Sequence, residues 1–402
     1  MQYGFVRSAI VLGLLCMVGP IAIDMYLPAL PIIASDLNVG IASVQATLTA
    51  YFVAFGVAQI VFGPVGDMVG RKPPMIFGLL LYLAGSLGCA LAPTVGWLIA
   101  ARFVQALGGA SVMVIPRAII RDLYTGPRAT RLMSTIMLVI SVSPMLAPLG
   151  GSALIALDGW RAIFFAMAVV AIASLLLTIF VQPETLEPEK RVPVDVRRLA
   201  RDSLYLLREP KFMGLTFIGA FSIASFFVFI ASASFVYTGY YGLTPTQFSL
   251  AFAVNALGFF AASQFAATLG ERYGMARTVA AASTGFAVVT MSLLVLQAAG
   301  VDHLAVLIGM LIAANACLGL VIPTTMVMAL DDHGEHAGLA SSLGGTLQMV
   351  TGAAIVGLSS PFFDGTPLPM VATIAACAIA AWLLSRRILV RGAMRAEPAA
   401  GE

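Results

Sequence analysis

The chain has 402 residues, of which 60% are hydrophobic and 10% charged, and its formal net charge is +3. Its mean hydropathy is +0.98. A soluble domain carries about 25% charged residues, so the composition excludes a water-soluble globule and defines an all-α polytopic membrane protein. Cys16, Cys89, Cys317 and Cys377 all lie in apolar runs, where neither a disulfide nor a metal site is expected. Neither a cofactor nor a nucleic-acid partner is expected. The partner such a chain requires is the lipid bilayer.

A crossing helix needs about 20 apolar residues. Runs of that kind fall at 8–29, 43–65, 74–93, 97–120, 132–156, 162–181, 212–236, 247–269, 278–299, 304–329, 338–358 and 368–389. Cations set the orientation of such spans. Arg7, Arg71, Lys72, Arg121, Arg128, Arg131, the 190–211 segment, Arg272, Arg277 and the 386–395 segment all fall on one side. Arg161 falls on the other. Both termini are therefore expected in the cytoplasm, with the protein in the cell inner membrane. The polar stretch 182–211 separates an N-terminal six-helix bundle, 1–181, from a C-terminal one with a short tail, 212–402. The second half of that stretch is expected to form a basic amphipathic helix at the membrane surface. "GDMVG" (Gly66–Gly70) and "GERYG" (Gly270–Gly274) occupy equivalent places after the second and eighth spans, the mark of a duplicated six-helix unit.

In chain order, the first span holds "IAIDMYLPALP", in which Asp24 stands between Pro20 and Pro28. A carboxylate at the centre of a span costs roughly 2.5 to 3.5 kcal/mol on insertion scales. The next loop reads "GPVGDMVGRKP" and carries Gly63, Asp67, Gly70, Arg71 and Lys72. Asp67 is expected to bond to Arg121 and to the start of the eleventh span, near His336, latching the two halves; the alternative is that it merely caps a helix. The fourth span opens with "ARFVQALGGA", holding Arg102 and Gln105. The fifth contains "SPMLAPLGGS", where Pro144, Pro148 and Gly151 allow a bent, close contact that seals one face of a cavity.

These motifs carry a resemblance. The loop after the second span resembles the signature loop of the major facilitator superfamily, with Met68 where that family usually has arginine. The segments around Arg102 and Pro148 resemble motifs of its drug–proton antiporters, although Ala147 and Ser152 replace glycines there. "DMYLPALP" and "FFVFIASASFVY" (Phe226–Tyr237) resemble the bicyclomycin and chloramphenicol resistance group, Bcr/CflA. The resemblance implies a twelve-helix fold in two pseudo-symmetric bundles, a central cavity, a monomer, and proton-driven export of drugs.

The charges have a physical reading of their own. Arg102 lies about five residues inside the outer end of its span, roughly 7 Å deep, and Asp24 lies at a similar depth. Intramembrane charges usually face a cavity and pair. Burial favours a neutral acid and a guanidinium favours a charged one. Balanced between them, Asp24 can bind a proton in one conformation and release it in another. The alternative is that Arg102 reaches out to the interface and Asp24 caps a kink. No other acid falls well inside a span, so in a proton-coupled cycle Asp24 is the carrier. Tyr26, Gln59, Gln105, Phe226, Phe229, Asn255, Asn315 and Gln348 are candidates to line a cavity for small amphipathic or apolar molecules; Asn255, Asn315 and Gln348 serve equally as interhelical hydrogen-bonding groups. His303, His333 and His336 show no metal spacing. Two functions stay open: proton-coupled drug efflux, and export or import of a nucleoside, amino acid or small peptide with incidental drug efflux. An intramembrane enzyme would need a zinc motif, a pair of intramembrane aspartates or a Ser–His pair, and the sequence has none.

Overall fold

The computed structural model describes residues 5–124, 126–191, 193, 195–331 and 337–390, and these are helical apart from short connections. Helices suit a chain this apolar, because they satisfy their own backbone groups where no water is available. Among the described residues, twelve helical stretches are long and apolar enough to cross a membrane. They agree with the twelve predicted runs in number and order.

The chain divides into two compact units. One comprises Met1–Val196 and Leu243–Ala253, the other Arg197–Gly242 and Val254–Glu402. The first contains α1 (Phe5–Asp24), α2 (Leu30–Asp36), α3 (Ile41–Val69), α4 (Lys72–Ala90), α5 (Val95–Leu123), α6 (Gly126–Asp158) and α7 (Arg161–Leu176). The second contains α8 (Val196–Arg208), α9 (Pro210–Ser234), most of α10 (Pro245–Gln264), α11 (Ala266–Tyr273), α12 (Met275–Ala298), α13 (Leu304–Asp331), α14 (Ala337–Ser359) and α15 (Pro367–Ser385). The 182–211 stretch is thus divided between the units. Its first residues bind the first unit through Glu184, as described below. Its second half is α8, whose Leu206 is fully buried among Phe212, Leu215 and Ile218 of α9 and Val279 of α12. The arginines of α8, Arg197, Arg198, Arg201 and Arg208, remain exposed.

Two details differ from the sequence expectations. Asp67 does not lie in a loop: α3 continues to Val69, and the connection to α4 shrinks to Gly70 and Arg71. Gly70 stops the helix at φ 102°, and Gly274 does the same at φ 87° after α11. These are left-handed conformations that favour glycine. The eighth span is also not continuous; α10 and α11 are interrupted at Phe265.

The α4–α5 contact fixes the helix that carries Arg102. Helices in lipid associate largely through close packing of small residues. A Cβ added to Gly108 of α5 would stand 2.2 Å from the Gly78 carbonyl oxygen and 2.3 Å from the Tyr82 nitrogen of α4. No side chain fits there, so the two backbones meet.

Candidate functional site

The site in the first unit starts from a broken helix. Pro28 has no N–H, so the Asp24 carbonyl loses its partner four residues on. α1 ends at Asp24, and a short 3-10 turn (Leu27–Ala29) leads into α2. Within the break the Tyr26 N–H donates to the Ile23 carbonyl at 3.2 Å, not to that of Ala22. The Ala22 carbonyl is thereby free to accept from elsewhere.

Arg102 fills that position. Its side chain is completely buried. Nη1 donates to the Ala22 carbonyl at 3.0 Å and to Gln105 Oε1 at 2.6 Å. The guanidinium lies over the Tyr51 ring at 4.3 Å and the Tyr26 ring at 4.6 Å, with Phe164 at 6.0 Å. Aromatic faces attract a desolvated cation, so the cage stabilises a charge that no carboxylate neutralises. Gln105 completes it, donating from Nε2 to Ser86 Oγ at 2.8 Å. Tyr26 is tied to Thr47 by a 2.9 Å hydroxyl hydrogen bond. Nε and Nη2 of Arg102 have no partner.

Asp24 is buried beside this cage. Its Oδ2 accepts from Ser143 Oγ of α6 at 3.3 Å. The direct Asp24–Arg102 ion pair expected from their depths is not formed. The break in α1 offers Arg102 a carbonyl, and α6 offers Asp24 a hydroxyl. α6 approaches so closely because Gly151 lies against the break: a Cβ there would stand 2.2 Å from the Met25 carbonyl oxygen. Pro144 and Pro148 lie inside α6 between these two contacts.

The cavity candidates belong to both units. Tyr26 and Gln105 are fully buried and committed to Arg102 and its supports. Gln59 is half-buried on α3. In the second unit, Phe226 stacks on Phe259 with ring centroids 5.9 Å apart, and Phe229 meets Tyr237 edge to face. Asn255 is fully buried. Asn315 is buried with Nδ2 unpartnered. Gln348 lines a small cleft together with Thr216, Thr325 and Gly344.

A charge cluster closes the other end of α3 and α5. Arg71 pairs with Asp67 at 2.5 Å and with Asp122 at 2.8 Å. Arg121, named for this role from the sequence, is exposed one residue away, and Arg71 is the cation that Asp67 bonds. The other expected partner is the start of the eleventh span, 336–345, of which His336 lies outside the described residues. Gly63 lies a turn before Asp67 on α3, and Lys72 Nζ donates to the Ile179 carbonyl at 2.7 Å.

Sequence reasoning missed Glu184. Its carboxylate accepts the backbone N–H groups of Arg71 at 2.9 Å, Lys72 at 3.0 Å, Thr185 at 2.9 Å and Leu186 at 3.0 Å. Thr185 Oγ1 donates to Asp122 at 3.0 Å. The signal was present: the short turn at Gly70 leaves the first N–H groups of α4 without acceptors, and an acid follows the sixth span. Partial burial opposes the charge on Glu184, but four backbone donors outweigh it and hold the carboxyl below its ordinary value of 4.5. A lowered folded-state value means that the clasp contributes fully above about pH 4.5 and is lost as pH falls through the folded value. Glu184→Gln is therefore expected to lower the melting temperature in detergent at neutral pH. The difference from wild type should close on acidification below pH 4.5; a difference independent of pH would contradict this reading.

A two-unit bundle of twelve spans, with a buried carboxylate at a helix break and a caged arginine facing the same break, has the features of a secondary transporter. Residues 12–357 match the Major Facilitator Superfamily, and the chain belongs to that family. It is 33% identical over 372 residues to the "Uncharacterized MFS-type transporter YdgK" of Bacillus subtilis, covering 90% of each chain. It is 32% identical over 391 residues to the "Bicyclomycin resistance protein homolog" of Haemophilus influenzae, covering 95% of this chain and 97% of that one. Among solved structures, a POT family transporter in complex with 5-aminolevulinic acid superposes with a TM-score of 0.75 at 14% identity, covering 98% of both chains. The chain is thus a multi-pass membrane transporter, not an enzyme, and the resemblance to the bicyclomycin and chloramphenicol resistance group holds.

Proposed function

We propose that this protein exports small amphipathic or apolar drugs from the cytoplasm in exchange for protons. It lies in the cell inner membrane with both termini in the cytoplasm, and it works by alternating access as its two bundles rock. The observation that carries this reading is Asp24: a buried carboxyl at a helix break, bonded to one hydroxyl at 3.3 Å and to no cation. Such a group can hold a proton without breaking an ion pair. The relative named for bicyclomycin resistance supports drugs as the cargo.

In the proposed cycle, drug entering from the cytoplasm and the proton on Asp24 exclude each other. Outward opening releases the drug and reloads the proton. Arg102 holds the α1 break in place through the Ala22 carbonyl, so movement of α1 is felt at Asp24. The cluster of Asp67, Arg71, Asp122 and Glu184 fixes the cytoplasmic ends of α3, α4 and α5 relative to one another.

Inverted vesicles test this. A drug panel should accumulate when the lumen is acidified, and an uncoupler should abolish the accumulation. Accumulation that survives collapse of the proton gradient would contradict proton coupling. Absence of accumulation for every drug would favour a metabolite as cargo.

A further inference from the structure

Arg117 is a second arginine on α5, and the site described above does not use it. It lies 15 residues after Arg102, about 22 Å along the helix at 1.5 Å per residue. It stands roughly 9 Å inside the other end of the span. Pro116 precedes it and interrupts the helical ladder there.

Its surroundings distinguish it from an interfacial cation. Counted from the Ser8–Tyr124 contact, Arg117 lies about 10 Å along α5 and Cys16 about 12 Å along the antiparallel α1. Cys16 is 2% exposed, on the packed side of α1. The register of the two helices agrees, since Ser8 and Tyr124 meet through their hydroxyls at 3.4 Å nearer the end. Arg117 therefore faces α1 inside the first unit. Met113, Arg117 and Arg121 recur at every fourth position, and accessibility rises along them from half-buried to exposed toward the Arg71 end. Arg117 is the half-buried middle of this stripe, whose exposed end is Arg121. Arg121, one turn further out, already occupies the place of a cation reaching for the interface.

No hydrogen bond or ion pair engages Arg117 among the described residues, although acids elsewhere in the unit are paired: Asp67 and Asp122 with Arg71, and Asp36 with Arg161. A charge kept inside a span without a protein partner marks a ligand pathway. A guanidinium fork matches an anionic oxygen pair, above all a carboxylate, by two parallel hydrogen bonds.

We infer that Arg117 is a substrate-binding residue, which receives an anionic oxygen group, preferentially a carboxylate, on molecules entering from the Arg71 end. The inference rests on the transport reading above and narrows its cargo. Amphipathic molecules with one acidic group are favoured over neutral molecules on the same scaffold. Arg102 is not the receptor, because its carbonyl, amide and aromatic partners enclose it.

The test uses the purified full chain in detergent with two environment-sensitive dyes, dansylglycine, a carboxylate, and dansylamide, its neutral counterpart. A charge-assisted bidentate contact corresponds to about tenfold or more in affinity. Wild type should bind dansylglycine about tenfold more tightly than dansylamide. Arg117→Gln should erase that preference while leaving dansylamide affinity and the melting temperature unchanged. Arg117→Lys should keep part of it. The inference is overturned if wild type shows no preference, if it binds neither dye, or if Arg117→Gln weakens both dyes equally. Drug accumulation in vesicles with no dye preference would sink this inference alone. Absence of any drug transport would sink the reading beneath it.

Discussion

Arg102→Ala is expected to abolish transport and to lower the melting temperature sharply. The side chain is fully buried and occupies the centre of an assembly built from α1, α3, α5 and α7. Its removal leaves the Ala22 carbonyl and Gln105 Oε1 without their donor. Buried groups that lose a partner cost about 1–3 kcal/mol each, and a desolvated cation–aromatic contact contributes about 2 kcal/mol more. A total loss on the order of 4–8 kcal/mol follows. Arg102→Lys keeps a charge but lacks the planar fork that reaches the carbonyl and the amide together, so it should not restore activity. Thermal unfolding in detergent, with drug transport in parallel, checks both statements. A variant that melts and transports like wild type would show that the cage is not structural.

Gly151→Val is expected to uncouple the protein. A Cβ at this position meets the Met25 carbonyl oxygen at 2.2 Å, and that atom is backbone, so it cannot rotate away. α6 must retreat from the break, and Ser143 retreats from Asp24 with it. Overpacking of this kind costs about 1–3 kcal/mol. The effect on coupling should exceed the effect on stability, because the displaced contact lies on the proposed proton site. Gly150→Ala supplies the control. Its nearest neighbour is Met25 Cε at 3.7 Å, an ordinary contact with a flexible side chain, so transport should persist. Equal behaviour of the two variants in gradient-driven transport would mean that the break does not depend on α6.

Much of this arrangement was legible in the sequence. The length and apolarity of the runs gave the twelve spans, and Pro28 marked the place where the first must lose its helix. Arg102 and Asp24 both lie at that break. Their bonding was not readable, because it depends on one local choice, the Tyr26 N–H turning to Ile23 and leaving the Ala22 carbonyl open. A depth argument finds charges at one level but does not reveal which acceptors a broken helix exposes. The cluster at the end of α3 shows the same limit. Arg121 and Asp122 are neighbours in sequence, yet successive helical residues point about 100° apart, and the structure turns Asp122 to Arg71 while Arg121 faces outward. Glu184 sat in a polar stretch that reads as a linker. Arg117 sat among cations that orientation alone explains.

Asp24 is the group proposed to exchange drug for proton. The direct measurement is proton release by purified protein in weakly buffered detergent solution, followed with a pH-sensitive dye as a transported drug is added. Wild type should release protons in proportion to the drug bound, and Asp24→Asn should bind the drug and release none. Undiminished proton release from Asp24→Asn would place the exchange elsewhere and contradict the mechanism.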